Sequence, residues 1–428
     1  MHNFAKMLMS KIIKQSMPRV FATIVIALST LVCGAQGGDP SQFALLAEHL
    51  SRGEKDLMPL PGNSVEIMTS GEHMWELLLE DIRNAKESIW LEYYRWKDDE
   101  AGRQIRDAIM EKNREGLDVR LLIEDIANPL YNKEFYWHMR DAGAKLVFFT
   151  DTDKPLWQIL PNVGVRDHRK IVVIDGQIGF CGGMNLALEY RSFWRDTHLR
   201  IEGPAVHQLG KFFMEMWIAR GGEVPVDVKE WDSPSLLAEE GIPETAYSNV
   251  TVQFATAGGG DTLLEDAVCD LLKSAKEYVY IQTPYFCPPD HLLAALGEAV
   301  ARGTEVHILV PDETDIGFAT LANQSYFEEC LLFGVRIFEY TERMNHAKVI
   351  LSDDCLAIVG TLNMDNRSLH INHEVVAVIY DTTVAQSSRH EFERLTSGAH
   401  EVTLDDIHSW TPQERSARHF WRHNSKLL

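Results

Sequence analysis

Cysteine is sparse in this chain and nowhere paired in spacing. Six residues (Cys33, Cys181, Cys269, Cys287, Cys330 and Cys355) lie scattered through 428 positions without a Cys-x-x-Cys pair. That pattern speaks against a thiolate metal site and against a disulfide framework, and it fits small core residues. Basic charge is also short, with 41 Lys and Arg against 63 Asp and Glu, a net −22. So acidic a body repels polyanions at long range, which argues against a nucleic-acid partner and requires any phosphate site to be basic locally. The N-terminal apolar run is short as well: fourteen predominantly apolar residues, 20–33, fall below the ~20 needed to cross a bilayer. The run follows Lys6, Lys11, Lys14 and Arg19, precedes Gly34-Ala35, and meets no acid before Asp39. A basic flank, a short apolar segment and small residues follow the plan of an export signal, so residues 1–38 are expected to be a signal peptide or an N-terminal membrane anchor.

What the chain does contain is a repeat. His168-Arg-Lys170-Ile-Val-Val-Ile-Asp175 matches His346-Ala-Lys348-Val-Ile-Leu-Ser-Asp353 at an offset of 178 residues. The same offset carries Asn185 of Gly-Gly-Met-Asn onto Asn363 of Gly-Thr-Leu-Asn, and Asp196 onto Glu374, without a gap. Upstream the match continues loosely, Gly116-Leu-Asp-Val119 resembling Gly303-Thr-Glu-Val306. Period-2 apolar runs bounded by turn residues predict strands at 88–94, 119–124, 145–149, 171–174 and 178–182, and again at 278–283, 305–310, 335–340, 348–351 and 356–359. Helical patterns such as 101–113 and 291–302 fall between them, which is α/β organisation. The expected units are a first lobe at 62–222, a linker at 223–248 rich in Pro, Gly, Ser and acids, a second lobe at 249–400, and a basic tail at 401–428. That tail mixes Arg415, Arg418, Arg422 and Lys426 with Phe420 and Trp421, suiting either a helix packed on the body or a segment resting on anionic lipid.

Residues two apart on a strand share a face, so His168 projects with Lys170, and His346 with Lys348. The Asp175-Gly176 pair is a tight-turn signal, after which the returning strand delivers Asn185 beside the starting histidine. Each half thus offers an imidazole, an ammonium and an amide around one point. Lysine neutralises the non-bridging oxygens of a phosphodiester, the amide donates to them, and imidazole attacks phosphorus or holds the leaving group's proton. One half has one such histidine, whereas a double displacement needs a nucleophile and a separate proton donor. Two halves about a pseudo-twofold axis supply both, with Asp196 and Glu374 orienting the imidazoles. Asp175 and Asp353 read better as turn residues than as catalytic ones. Gly182, Gly183 and Gly360 read as sites of close packing, and His198, His207, His370 and His373, which lack counterparts, as core or surface residues.

These residues resemble the phospholipase D superfamily, whose signature is His-x-Lys-x4-Asp followed by a Gly-Gly/Ser/Thr-x-Asn element, twice in one chain. The resemblance covers most of residues 62–400. The stretches DHRKIVVIDGQIGFCGGMN, TPYFCPPD and GTLNMDNRSLHINHE are similar to those of bacterial cardiolipin synthases. The resemblance implies two tandem α/β lobes, each a mixed sheet flanked by helices, with one active site at their interface. It implies a phosphohistidine intermediate with no metal and no other cofactor. His168, Lys170, Asp175, His346, Lys348 and Asp353 form the catalytic signature, and Asn185, Asn363 and Thr361 the phosphate-binding set. It also implies that each histidine takes the acid of the other lobe, His168 with Glu374 and His346 with Asp196, and that the first histidine is the nucleophile and the second the proton donor. Two departures stand out: Gly183 replaces the Ser of many members, and one short apolar segment replaces the two membrane helices of many synthases.

The expected function is phosphatidyl transfer from phosphatidylglycerol to a second lipid hydroxyl, at a membrane surface of the bacterial cell envelope. The alternative is a phospholipase D or secreted nuclease in which water resolves the same intermediate. A lipid-binding protein with a degenerate site is a third reading, opposed by the intact His and Lys of both halves.

Overall fold

The computed structural model describes residues 40–128, 133–160, 164–224 and 246–425. The expected signal or anchor at 1–38 lies outside them, as does most of the expected linker. Seven strands come from the first half: β1 (Leu60–Met68), β2 (Ser88–Tyr93), β3 (Asp118–Ile123), β4 (Lys145–Phe148), β5 (Lys170–Ile174), β6 (Ile178–Gly182) and β7 (His198–Glu202). The second half supplies β8 (Tyr247–Ala257), β9 (Tyr278–Gln282), β10 (Phe286–Cys287), β11 (Glu305–Pro311), β12 (Arg336–Tyr340), β13 (Val349–Ser352), β14 (Leu356–Gly360), β15 (Met364–Asp365), β16 (Glu374–Tyr380) and β17 (His400–Glu401). All but β10 and β15 join one 15-stranded sheet in the order β17-β12-β11-β9-β13-β14-β16-β8-β1-β7-β6-β5-β2-β3-β4. Outward from the antiparallel β1–β8 pair the two sides repeat each other, β7, β6, β5, β2, β3, β4 matching β16, β14, β13, β9, β11, β12.

Side-chain alternation divides the core. Ile171 and Val173 of β5 face a cluster shared with Val349 and Leu351 of β13. Val172 and Ile174 face the outer helices of the first half, and Ile350 those of the second. The inner cluster also takes Phe212, Phe213 and Trp217 from helix Val206–Ala219 and Phe392 and Leu395 from helix Thr382–Ser397. Every strand expected from the repeat is present within two residues of its expected ends. The four that join the halves, β1, β7, β8 and β16, carried no such expectation.

The five described cysteines are buried and free. No helix among the described residues is long and apolar enough to cross a membrane. The tail forms helix Pro412–His423, started by a Thr411–Glu414 capping box. It leans on the second half through Trp421 stacked on Phe318 at 4.6 Å and Arg422 paired with Glu329 at 2.5 Å.

The motif aspartates hold the hairpins. Asp175, at φ 51°, and Asp353, at φ 53°, occupy the left-handed region that tight hairpin turns require. Asp175 accepts the backbone N–H groups of Lys86, Glu87 and Ser88 at 2.8–2.9 Å. Asp353 accepts those of Lys276, Glu277 and Tyr278 at 2.7–3.0 Å, plus the Gln42 amide at 2.8 Å. Asp353 is buried and Asp175 only partly so. Asp353→Ala should therefore cost about 3 kcal/mol or more and Asp175→Ala about 1–2 kcal/mol, read from urea melts. Equal and negligible losses would contradict this role.

Candidate active site

Each motif histidine lies just ahead of a strand, where the chain crosses into the other half. Asp167 bridges to His373 and Asn345 bridges to Arg195, two pairings exchanged by the 178-residue offset. His168 N donates to His373 O at 2.9 Å and His346 N to Arg195 O at 2.7 Å. The residue after each bridge partner is an acid, so this crossing presents the carboxylate of one half to the histidine of the other. His168 Nδ1 lies 2.9 and 3.0 Å from the Glu374 oxygens, and His346 Nδ1 lies 2.7 Å from Asp196 Oδ2. With both Nδ1 atoms tied, Nε2 of each ring is the atom left to meet a ligand in the cleft of about 570 Å³ that both histidines line.

The lysines complete the cluster. Lys170 Nζ donates to His168 O at 2.6 Å, and Lys348 Nζ donates to His346 O at 2.5 Å while lying 3.1 Å from His346 Nε2. Asn185 and Asn363 line the same cleft. The Asn185 carbonyl accepts Arg95 N at 3.2 Å, which leaves its NH2 as a donor, and the Asn363 oxygen is buried without a hydrogen-bond partner among the described residues.

Three expected site residues stand elsewhere. Asp175 and Asp353 lie at the far ends of β5 and β13, roughly 20 Å along the strand from the histidines, and hold turns instead of meeting substrate. Thr361, expected to bind phosphate, is fully buried and donates its hydroxyl to Glu374 Oε2 while accepting Val375 N at 3.0 Å. It positions the acid. The counterpart Gly183 has no room for a hydroxyl: a Cβ there would sit 2.1 Å from Asp196 Oδ1. A Cβ at Gly360 would meet Val375 O at 2.3 Å, so both glycines serve close packing.

Burial sets the electrostatics. It pushes the Lys170 ammonium down to about 7, against the pull of Glu374, and the Lys348 ammonium down to about 8, against Asp196. Burial and then the neighbouring lysines hold His168 well below the usual histidine range, and they lower His346 too, where Asp196 opposes them. The two acids diverge. Burial raises Glu374 to about 7, whereas at Asp196 burial is overcome by the charges of His346 and Lys348 and by hydrogen bonds from His346 and the Thr197 N–H, leaving its carboxyl below the ordinary value.

Sequence reasoning expected segments 92–97 and 283–289 to wall the cleft, and it did not single out Tyr190, Trp194 or Arg367. Tyr94 packs edge-on to His168 at 4.8 Å, and Tyr190 and Trp194 lie 5.2 and 5.7 Å from His346. Arg95 and Arg367 line the cleft without a carboxylate partner among the described residues. No repeat marked them, because they come from loops that differ between halves. Among the described residues no three His, Cys, Asp or Glu side chains gather as a metal site.

The family described as "Cardiolipin synthase, PLD-like domain" matches residues 78–217 and 268–396. Cardiolipin synthase 1 of Bacillus cereus is 33% identical over 85% of this chain and 72% of its own length. The major cardiolipin synthase ClsA of Bacillus subtilis is 36% identical over 76% of this chain and 67% of its own. Among solved structures, the phosphatidylserine synthase of Haemophilus influenzae superposes with a TM-score of 0.64 over 89% of this chain and 100% of that one, at 18% identity, a likeness of fold.

A buried cluster with two half-neutral lysines should take up protons when an anion enters. Calorimetric binding of inorganic phosphate at pH 8, in buffers of different ionisation enthalpy, should show uptake of about one proton beyond that of phosphate itself. Binding without such uptake would contradict the ascribed ionisation.

Proposed function

The chain belongs to the cardiolipin synthase PLD-like domain family, and from that membership we propose that its cleft transfers a phosphatidyl group from phosphatidylglycerol to the hydroxyl of a second lipid. The observation that carries this reading is the interlocked pair of dyads, each histidine bound at Nδ1 by the acid of the opposite half. His168 Nε2 attacks phosphorus and the bond to the glycerol oxygen breaks, with His346 passing a proton to that oxygen. The second lipid's hydroxyl then gives its proton to His346 as its oxygen attacks phosphorus, and the phosphorus–nitrogen pair returns to His168. Lys170, Lys348, Asn185 and Asn363 balance the charge on the non-bridging oxygens.

The unequal acids support this division of roles. Asp196 stays ionised and favours imidazolium at His346, the proton donor. Glu374, raised to about 7 and bonded by Thr361, leaves His168 neutral as a nucleophile must be. In the empty site burial and Lys348 lower His346 against the pull of Asp196, and the arriving phosphodiester supplies a negative charge that opposes this lowering, so the proton is loaded when substrate binds. The exposed Phe420 of helix Pro412–His423 and the apolar segment 20–33 favour work at a membrane of the bacterial envelope. Water as acceptor would use the same groups.

Purified protein incubated with phosphatidylglycerol vesicles and EDTA should form cardiolipin, detected by mass spectrometry; phosphatidic acid alone would favour hydrolysis. His168→Ala should lower kcat by about 10^4-fold or more and His346→Ala by about 10²- to 10⁴-fold, and substantial activity in either would refute the shared site. Because Lys170 and Lys348 lose protons at about 7 and about 8 in the empty site, kcat/KM should fall as pH rises through that window. The corresponding limb of kcat should lie at higher pH, since bound phosphodiester holds those protons. A flat kcat/KM between pH 7 and 9 would contradict the lysine assignment.

A further inference from the structure

The cleft is not uniform in charge. Tyr94, Arg95 and Arg367 stand together, the charges of both arginines acting on the Tyr94 ring that packs on His168. On the His346 side stands a carboxylate, Asp315, whose charge favours the protonated forms of His346 and Lys348. An acid in a phosphate cleft opposes the anion, so its presence calls for a different ligand group beside it. The other cleft carboxylates are committed: Glu189 to Lys97 at 2.5 Å, and Asp365 to the Ser368 N–H at 2.8 Å as a helix cap. Asp315 is exposed, lines the cleft, accepts the Tyr285 hydroxyl at Oδ1, and pairs with no cation among the described residues. Its loop is fixed, Thr314 N donating to Thr320 Oγ1 at 2.9 Å and the Thr314 hydroxyl to Ile316 O at 2.6 Å.

We propose that Asp315, backed by Tyr285, forms the alcohol subsite of this cleft, accepting hydrogen bonds from the vicinal hydroxyls of a glycerol headgroup held beside His346. The inference rests on the phosphatidyl-transfer reading and adds the group that selects the alcohol. A carboxylate accepts two hydroxyl donors at once and repels a second phosphate, so it favours a polyol over water or a simple alcohol. The Tyr285 ring lies 6.3 Å edge-on from that of His346, and the Asp315 charge acts on His346, so carboxylate and proton-transferring imidazole share one side of the cleft. The departing glycerol and the incoming headgroup would occupy this place in turn, each losing or gaining its proton at His346.

The test is headgroup exchange by the full-length protein on phosphatidylglycerol vesicles, with isotope-labelled glycerol, 1-propanol or ethanolamine as soluble acceptor. The wild type should prefer glycerol, and Asp315→Ala and Asp315→Asn should lower the glycerol-to-propanol ratio about tenfold or more, through a higher KM for glycerol. An unchanged ratio in both variants, or an equal loss for both alcohols, would overturn the subsite. Ethanolamine preferred by the wild type and lost in the variants would overturn it in favour of a cationic headgroup. A wild type that incorporates no alcohol at all would overturn the transferase reading itself.

Discussion

The structure depends on one crossing of two chain segments. Asp167 with His373, and Asn345 with Arg195, are short parallel contacts, yet they decide which acid each histidine meets. Were the halves to pack without this exchange, each would hold an imidazole, a lysine and an amide with no carboxylate at Nδ1. The broad sheet, joined through β1 and β8, holds the two crossings in place, and the shared inner core keeps the halves from sliding.

Burial makes the crossing matter energetically. Lys170, Lys348, Asp196 and Glu374 are almost completely withdrawn from water, where a single uncompensated charge costs several kcal/mol. Each is tolerated because its neighbours carry opposite charge, and the site accommodates the surplus by letting its lysines and Glu374 sit near neutrality. Such a cluster is poised for one more negative charge, which a phosphodiester brings. The pseudo-symmetry is broken beside the acids, among other places: Thr361 bonds Glu374, while Gly183 leaves its space to the Asp196 carboxylate. The two acids are separated by their surroundings: burial prevails at Glu374 although Lys170 and the Thr361 hydroxyl pull it down, whereas at Asp196 the charges of His346 and Lys348 prevail over burial.

Much of this was legible in the sequence because the groups that do chemistry repeat at a fixed spacing. His168, Lys170, Asn185 and Asp196 recur as His346, Lys348, Asn363 and Glu374, and the structure brings all eight to one cleft or its immediate support. The repeat also marked ten strands. It was silent on β1, which carries Pro61 and Gly62, on β8, which pairs with β1 across the twofold, and on β7 and β16, which flank that pair. Thr361 was expected to face phosphate; sequence does not reveal which way a hydroxyl donates, and here the buried Glu374 carboxylate takes it. Asp315, Tyr190 and Trp194 were not singled out because no repeated residue marks them, whereas Tyr94 and Tyr285 lie in segments expected to wall the cleft.

The central claim is that two motifs make one site with divided roles. Acid-stable trapping is not needed to test it: the protein is mixed with excess phosphatidylglycerol, denatured rapidly in base, where phosphohistidine survives, and its peptides are weighed by mass spectrometry. The account predicts at most one phosphatidyl or phosphoryl adduct per chain, on the peptide carrying His168. Adducts on both His168 and His346, or two per chain, would contradict it.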